Sequence, residues 1–478
     1  MPVMASYPSL FAPFPINGVT LPNRIVLPAM VTRLSGEDGV INADIMDRYV
    51  RFAKGEPGLI VVEAMAVHTA KSGPLLRIGT DEFKPGLTEL AKRVHGAGPA
   101  KVVPQIIHFL KIARSGWRQL VSDLTKDDIR EIVVAYGAAA RRARECGYDG
   151  VELHMAHAYT LSSFLSAKNL RRDEYGGSLA NRMRLAGEVI QEVRRTVGRD
   201  FLLGVRFDGE ECIKGGYSVP DSQAIALRLA QLTVDYVSIS AGGKFEDAIH
   251  KPGAPLYPYT GYSGDRCMPG ADYPDGLNVY IAAGIREWLR QHGFQTPVVA
   301  TGKISSPAFA ERILKEGKAD LIGMARPLLA DPDWPKKVRE GRESTVIRCV
   351  YGNICKNLDE NFKKVVCVLW PQGSLQAPES SDRQPPTWPA DATLTAQYKD
   401  GRVFLKWPAA TDNQAVQGYS IYRRAKDEPE RHIGSNKAHG FTDPDVSPGT
   451  TYHYRVQPYD LGGNRGEFTG EAAVEVPG

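Results

Sequence analysis

Two histidines and a tyrosine stand within six positions in the stretch HMAHAYTLSSFL, residues 154 to 165, directly after the apolar run GYDGVELH. The imidazoles of His154 and His157 could donate hydrogen bonds to a carbonyl oxygen and stabilise negative charge building there, and the Tyr159 hydroxyl could deliver a proton. The plainer alternative is a strand-end histidine satisfied by a backbone carbonyl, with a tyrosine packed in the core. Strand alternation sends His154 and its neighbour to opposite faces, so His157 and Tyr159 join His154 only if the loop turns inward.

Other candidates also lie at the ends of apolar runs. Gln105 in PQIIH offers an amide to a heterocyclic edge, and Arg206 in GVRFD offers a guanidinium to an anionic one. The alternative for both is internal pairing with Glu63 or Asp208, since buried polar groups are costly unless paired. Further on, ATGKI (300–304) supplies Gly302 and Lys303, and GMARP (323–327) supplies Ala325 and Arg326. A glycine turn and two cations after consecutive strands make a phosphate cradle of backbone N–H groups and positive charge.

These residues need a common scaffold. Short apolar runs recur at 24–30, 58–64, 101–107, 150–154, 201–207, 234–240, 297–301 and 319–325, mostly without strict alternation, as in strands covered on both faces. Helical patterns lie between them. In TKDDIREIVVAYGAAARRARECG, Ile129, Ile132, Val133, Tyr136, Ala140 and Ala143 share one face, Thr125 and Asp128 form a cap, and Gly147 ends the helix. Eight strands alternating with helices predict an α/β fold, a (β/α)8 TIM barrel, whose site gathers at the C-terminal strand ends. The final runs precede the phosphate candidates, where such barrels commonly hold phosphate.

The 478 residues exceed one ordinary core. Residues 1–376 are expected to form the barrel domain, the Pro- and Ser-rich stretch 377–387 a linker, and residues 388–478 a small all-β sandwich. There GRVFLKWP, QGYSIYRRA, TTYHYRVQPYD and EAAVEV read as strands, with Trp407, Tyr419 and Tyr452 inside. Their spacing resembles a fibronectin type III module.

A net charge of +4 without a basic block argues against nucleic acid as a partner. No uncharged apolar run approaches the ~18 residues of a membrane helix, and the N-terminus lacks a leader pattern, so the expectation is a cytoplasmic protein without a membrane partner. A homo-oligomer is compatible with the sequence. Six cysteines do not make a disulfide framework in so long a chain, yet Cys349, Cys355 and Cys367 crowd together.

Taken together, LPNRIVLPAM (21–30), GLIVVEA, PQIIH, GYDGVELHMAHAYTLSSFLSAKNLRRDEYGGSLANRMRL (147–185), GVRF and ADLIGMARPLLADPDW (319–334) resemble the Old Yellow Enzyme family. The likeness is to its branch containing 2,4-dienoyl-CoA reductase and trimethylamine dehydrogenase, over roughly residues 8–370. It implies a barrel binding FMN, reduced by NADH or NADPH and reoxidised by an activated alkene. By resemblance, Pro28, Ala29, Met30 and Val31 would lie beside the flavin, Ala64 on its edge, Gln105 at its pyrimidine end and Arg206 near N1 and O2. Gly302, Lys303, Ala325 and Arg326 would hold the phosphate. His154 and His157 would bind the substrate carbonyl, and Tyr159 would be the proton donor.

Three departures stand out. Val31 occupies a place where many relatives have Cys or Thr, so a hydrogen bond tuning the flavin is expected to be missing. HFLK at 108–111 replaces His-x-Gly-Arg, and Arg33 replaces an aromatic residue of the substrate pocket. Cys349, Cys355 and Cys367 match three of four iron-sulfur ligands, but Gly352 takes the other position, so a vestigial site is expected rather than a cluster. Where the larger relatives carry dinucleotide-binding domains, this sequence continues into the β-module, so NAD(P)H is expected to reach FMN directly.

An ene reductase is the leading expectation. The competing ones are an amine dehydrogenase or demethylase of the trimethylamine dehydrogenase type, and an idle barrel serving a binding role. The loop at 241–276, with five aromatic residues, could pack as its own small core or act as a lid.

Overall fold

The computed structural model describes residues 7–69, 73–111, 119–242, 266–378, 384–413, 415–425, 428–460 and 464–478. The chain divides into two units, Met1–Arg339 with Tyr351–Cys367, and Glu340–Val350 with Val368–Gly478. In the first, a hairpin of β1 (Phe14–Ile16) and β2 (Val19–Leu21) precedes eight parallel strands. These are β3 (Ile25–Leu27), β4 (Leu59–Ala66), β5 (Lys101–Ile107), β6 (Gly150–Met155), β7 (Leu202–Asp208), β8 (Tyr236–Ser240), β9 (Val298–Ala300) and β10 (Leu321–Gly323). They close into a barrel in the order β10-β3-β4-β5-β6-β7-β8-β9.

All eight apolar runs read from the sequence are barrel strands, and β6, β7 and β8 are buried throughout, which explains their lack of alternation. The helix Lys126–Glu145 forms as its pattern requires. Thr125 Oγ1 accepts from Asp128 N at 3.1 Å, and the Asp128 carboxylate accepts from Thr125 N at 2.7 Å. Ile129, Ile132, Tyr136, Ala140 and Ala143 are buried, while Val133 lies half-buried at the edge of that face. Tyr136 OH accepts from His108 N at 2.9 Å, tying the helix to the end of β5.

The barrel interior changes from apolar to polar along the strands. At the lower end Ile16 and Leu21 of the hairpin share a cluster with Val26, Leu59, Val61, Val103, Leu202, Tyr236, Val299 and Leu321. Above it, register aligns Gln105 with Glu152, Glu152 with Gly204 and Gly204 with Tyr236. Gly204 is required there, because a Cβ would lie 2.0 Å from Tyr236 Cζ. The next layer aligns His154, Arg206 and Ser238, and the next Asp208 and Ser240. Each set follows the two-residue period of its strands, so polar side chains rise to the C-terminal mouth in layers.

In the second unit, β11 (Thr395–Lys399), β12 (Arg402–Lys406) and β15 (Gly440–Asp443) form one antiparallel sheet. β13 (Val416–Ala425), β14 (Arg431–Asn436), β16 (Thr451–Asp460) and β17 (Ala472–Glu475) form another. Trp407, Tyr419 and Tyr452 sit in their shared core, as their spacing suggested. The sequence reading found four of these strands. β11, β14 and β15 escaped it because none has a run of buried apolar residues, so they carry little apolar signal. Among the described residues no helix is long and apolar enough to cross a membrane.

Candidate active site

The opening stretch turns inward by an unusual backbone. β6 ends at Met155, and His157 and Ala158 both adopt left-handed conformations, with φ of 60° and 63°. Such conformations cost a non-glycine residue about 1–2 kcal/mol. The turn is held by His157 N donating to Asp208 Oδ2 at 2.8 Å and leads into the helix Thr160–Leu165. The result brings three rings together: His154 lies 5.1 Å from His157 and 4.9 Å from Tyr159, both edge to face. Tyr159 also packs with Val31 and Phe109 against Ala64, Ala66, Leu75 and Ile107, an apolar wall beside the histidines.

The motif that follows is scaffolding for this helix. Asn169 Nδ2 donates to Phe164 O and Tyr175 O at 2.7 Å, and Arg182 Nη1 to Leu165 O at 2.8 Å. Arg171 Nη1 reaches Val121 O at 2.6 Å and Leu124 O at 2.7 Å. Gly176 lets the chain close on Arg171, where a Cβ would lie 2.2 Å from its carbonyl oxygen.

Both histidines are kept neutral. Burial, and secondarily the Arg206 charge, pull His154 down to about 3, and burial, His154 and Arg206 hold His157 well below its ordinary value. Neutral imidazoles are N–H donors without the cost of a buried cation. Asp208, fully buried, is pushed well above its ordinary value by burial, and its Oδ1 has no hydrogen-bond partner among the described residues.

Gln105 and Arg206 do not pair with Glu63 or Asp208. Gln105 Nε2 donates to Glu152 Oε1 at 2.7 Å, and Tyr236 OH to Glu152 Oε2 at 3.1 Å. Arg206 donates to Ser238 Oγ at 2.9 Å and Ser240 Oγ at 3.3 Å. Glu152, Ser238 and Ser240 were missed from the sequence, although each stands two residues from another polar residue on its strand or one strand across from one. Glu63 faces elsewhere because the β4 register shifts between Val62 and Met65. It accepts from Thr32 N at 2.9 Å and Thr32 Oγ1 at 2.6 Å, anchoring the loop that carries Pro28–Val31, and burial pushes it up to about 7.

Gly302 and Lys303 follow β9 with φ of 110° and 57°, and Ala325 opens the helix Ala325–Ala330 after β10. Lys303 Nζ donates to Ala271 O and Tyr273 O, and Arg326 Nη1 to Pro269 O at 2.8 Å and Asn353 Oδ1 at 2.6 Å. Both cations also face the Tyr351 ring. Arg326 is buried with no carboxylate in ion-pair range among the described residues, and the nearest to Lys303, on exposed Asp275, is 3.7 Å away.

Arg33 turns to Asp359, at 2.7 Å, and stacks on Phe362. Among the described residues no group of three or more metal-ligating side chains is assembled. Of the loop at 241–276, residues 243–265 lie outside the described residues, so its role as lid or core does too; Tyr273 is buried.

The model of the NADH:flavin oxidoreductase / NADH oxidase family matches residues 9–116, 110–249 and 282–345. The chain belongs to this family. It is 33% identical over 372 residues to an NADH oxidase of Thermoanaerobacter brockii, covering 73% of this chain and 54% of that protein. It is 36% identical over 344 residues to an NADPH dehydrogenase of a Geobacillus species, covering 68% of this chain and 92% of that one. The chain thus spans about half the length of the NADH oxidase.

Among solved structures, a 2-naphthoyl-CoA reductase in complex with 2-naphthoyl-CoA aligns with a TM-score of 0.66 at 26% identity, over 76% of this chain and 56% of that one. A histamine dehydrogenase from Rhizobium sp. 4-9 aligns with a TM-score of 0.65 at 26% identity, over 76% and 52%.

FMN is the cofactor of the family and a nicotinamide its reductant. The donor set fits FMN. A buried guanidinium with no carboxylate in ion-pair range among the described residues, beside an ammonium paired at 3.7 Å with the exposed Asp275, suits a phosphate. Arg206 and Gln105, held by neighbours in the barrel, suit the polar edge of a flavin.

Proposed function

We propose that the barrel is an FMN-dependent ene reductase that uses NAD(P)H to reduce alkenes conjugated to a carbonyl or related group. The observation that carries this reading is the convergence of His154, His157 and Tyr159 at the end of β6, beside an apolar wall containing Val31 and Ala64. In this account Pro28, Ala29, Met30, Val31, Ala64, Gln105 and Arg206 surround the flavin ring, and Gly302, Lys303, Ala325 and Arg326 hold its phosphate. FMN, when bound, supplies the hydride.

The residues of this chain do the rest. His154 and His157 hold the substrate oxygen and favour charge moving onto it, which makes the β-carbon electrophilic. Tyr159 gives its hydroxyl proton to the α-carbon. The apolar wall excludes water from the reacting carbons. Reduction by a nicotinamide needs no such proton. Tyr159→Phe is therefore expected to slow alkene reduction by about 100-fold while sparing flavin reduction by NAD(P)H, as the two half-reactions measured by anaerobic stopped flow would show. Equal losses in both would refute the role.

The second unit reads best as a fibronectin type III-like module, supported by its sheets of three and four antiparallel strands. Dependence on NAD(P)H fits a cytoplasmic setting.

A further inference from the structure

The two histidines differ in how their protons are placed, a difference that bears on the reading that both hold one substrate oxygen. His154 Nδ1 accepts Ala156 N–H at 3.2 Å, so a neutral His154 carries its proton on Nε2. For His157 the proton placement is set from Arg206. A guanidinium has no acceptor, so Ser240 Oγ must accept from Arg206 Nη2 at 3.3 Å. The buried Ser240 hydroxyl still has a proton to donate, and the nearest acceptor given to it among the described residues is His157 Nε2, at 2.7 Å. Cys267 Sγ approaches the same nitrogen at 3.1 Å. Burial pushes that thiol up to about 11, so it stays protonated: its S–H can donate to the same nitrogen, and its sulfur is a weaker acceptor for the Ser240 proton than the imidazole is.

With Nε2 accepting, a neutral His157 must carry its proton on Nδ1. Among the described residues, neither His157 Nδ1 nor His154 Nε2 has a hydrogen-bond partner. Both N–H groups are left for a ligand.

We propose that Ser240, anchored on Arg206, is a positioning residue that locks His157 in the Nδ1–H tautomer, so that the pair offers two donors of opposite tautomer to one substrate oxygen. Without this lock His157 would divide between tautomers, and the Nε2–H form would present a lone pair instead of a donor at Nδ1. The chain Arg206, Ser240, His157 also links the group assigned to the flavin edge with the group assigned to the substrate. Ser238 is the natural comparison, since it takes Arg206 Nη1 at 2.9 Å.

The test is nitrogen NMR of the FMN-loaded full chain with 15N-labelled histidine, the His157 signals being assigned by their loss in His157→Gln. His157 is expected to show a protonated Nδ1 and an unprotonated Nε2, and His154 the reverse. Ser240→Ala should move His157 toward the Nε2–H form and raise KM for cyclohexenone about tenfold, with a smaller change in kcat. Ser238→Ala should leave the His157 nitrogens in place. A protonated His157 Nε2 in the parent protein, or a Ser240→Ala spectrum identical to the parent, would overturn the proposal. Failure of the parent to reduce cyclohexenone or any other activated alkene would overturn the ene-reductase reading instead, and the ring spectrum would still decide the role of Ser240.

Discussion

His154 and His157 act, in this account, as neutral donors, and their protonation state makes that claim measurable. A histidine held down to about 3 by burial and by Arg206 stays neutral through the physiological range. Binding of a neutral enone to the oxidised enzyme should therefore change little between pH 5.5 and 8.5, as followed by flavin absorbance. Binding that strengthens markedly below about pH 6.5, the ordinary histidine value, would point to imidazolium donors. Stability has the opposite sensitivity. Since the unfolded chain binds a proton at His154 below about 6.5 and the folded chain does not until about 3, stability is lost as pH falls through that window.

Asp208 works in the other sense. Its carboxyl is raised by burial, so the stability it contributes is full below about 3.9 and is lost as pH rises through its elevated folded value. A protonated Asp208 that accepts His157 N–H is mimicked by an amide. Asp208→Asn should stay close to the parent in chemical denaturation at pH 7, whereas Asp208→Ala should lose about 1–3 kcal/mol by orphaning that N–H. An asparagine variant as unstable as the alanine one would show that the charge is needed. At this scale the sequence made much of the candidate site visible: His154, Gln105 and Arg206 lie near strand ends, and His157 and Tyr159 in the turn that follows β6. Glu152 and Ser240 were not visible, because their importance lies in which neighbour each one meets across the sheet, and Cys267 was not because it meets His157 from a turn 110 residues away.

At the scale of elements, the turn after β6 decides whether the cluster exists. Strand alternation could not foretell it, since two successive left-handed residues abolish the alternation on which the expectation rests. The quoted motif at 166–185 did mark its importance, although its side chains serve the helix Thr160–Leu165 and its surroundings. Arg171 illustrates this by holding two carbonyls before the helix Lys126–Glu145 and lying over the Phe164 ring. Arg171→Ala should destabilise the chain by about 2 kcal/mol in denaturant titrations and slow alkene reduction, with FMN content preserved. Loss of FMN would place Arg171 in the cofactor site instead.

At the scale of the molecule, the barrel was legible because parallel strands buried on both faces leave continuous apolar runs, and eight such runs match β3 to β10. The hairpin β1–β2 was not, since strands of three residues are too short to show a period. Lys303 and Arg326 stand after the last two barrel strands, where chain order alone placed them. Replacing either with alanine should weaken FMN binding about 10- to 100-fold by fluorescence titration, the loss of a charge-assisted contact.

In the proposed reaction, electrons pass from a nicotinamide through bound FMN to an activated alkene. The most direct measurement is the absorption spectrum of the purified chain under anaerobic conditions, with NADH or NADPH added first and cyclohexenone or a dienoyl thioester second. The account predicts a flavin spectrum that bleaches with the nicotinamide and recovers with the alkene. Protein that is colourless and cannot be reconstituted with FMN, or a flavin that is bleached by a tertiary amine and never reoxidised by an alkene, would contradict it.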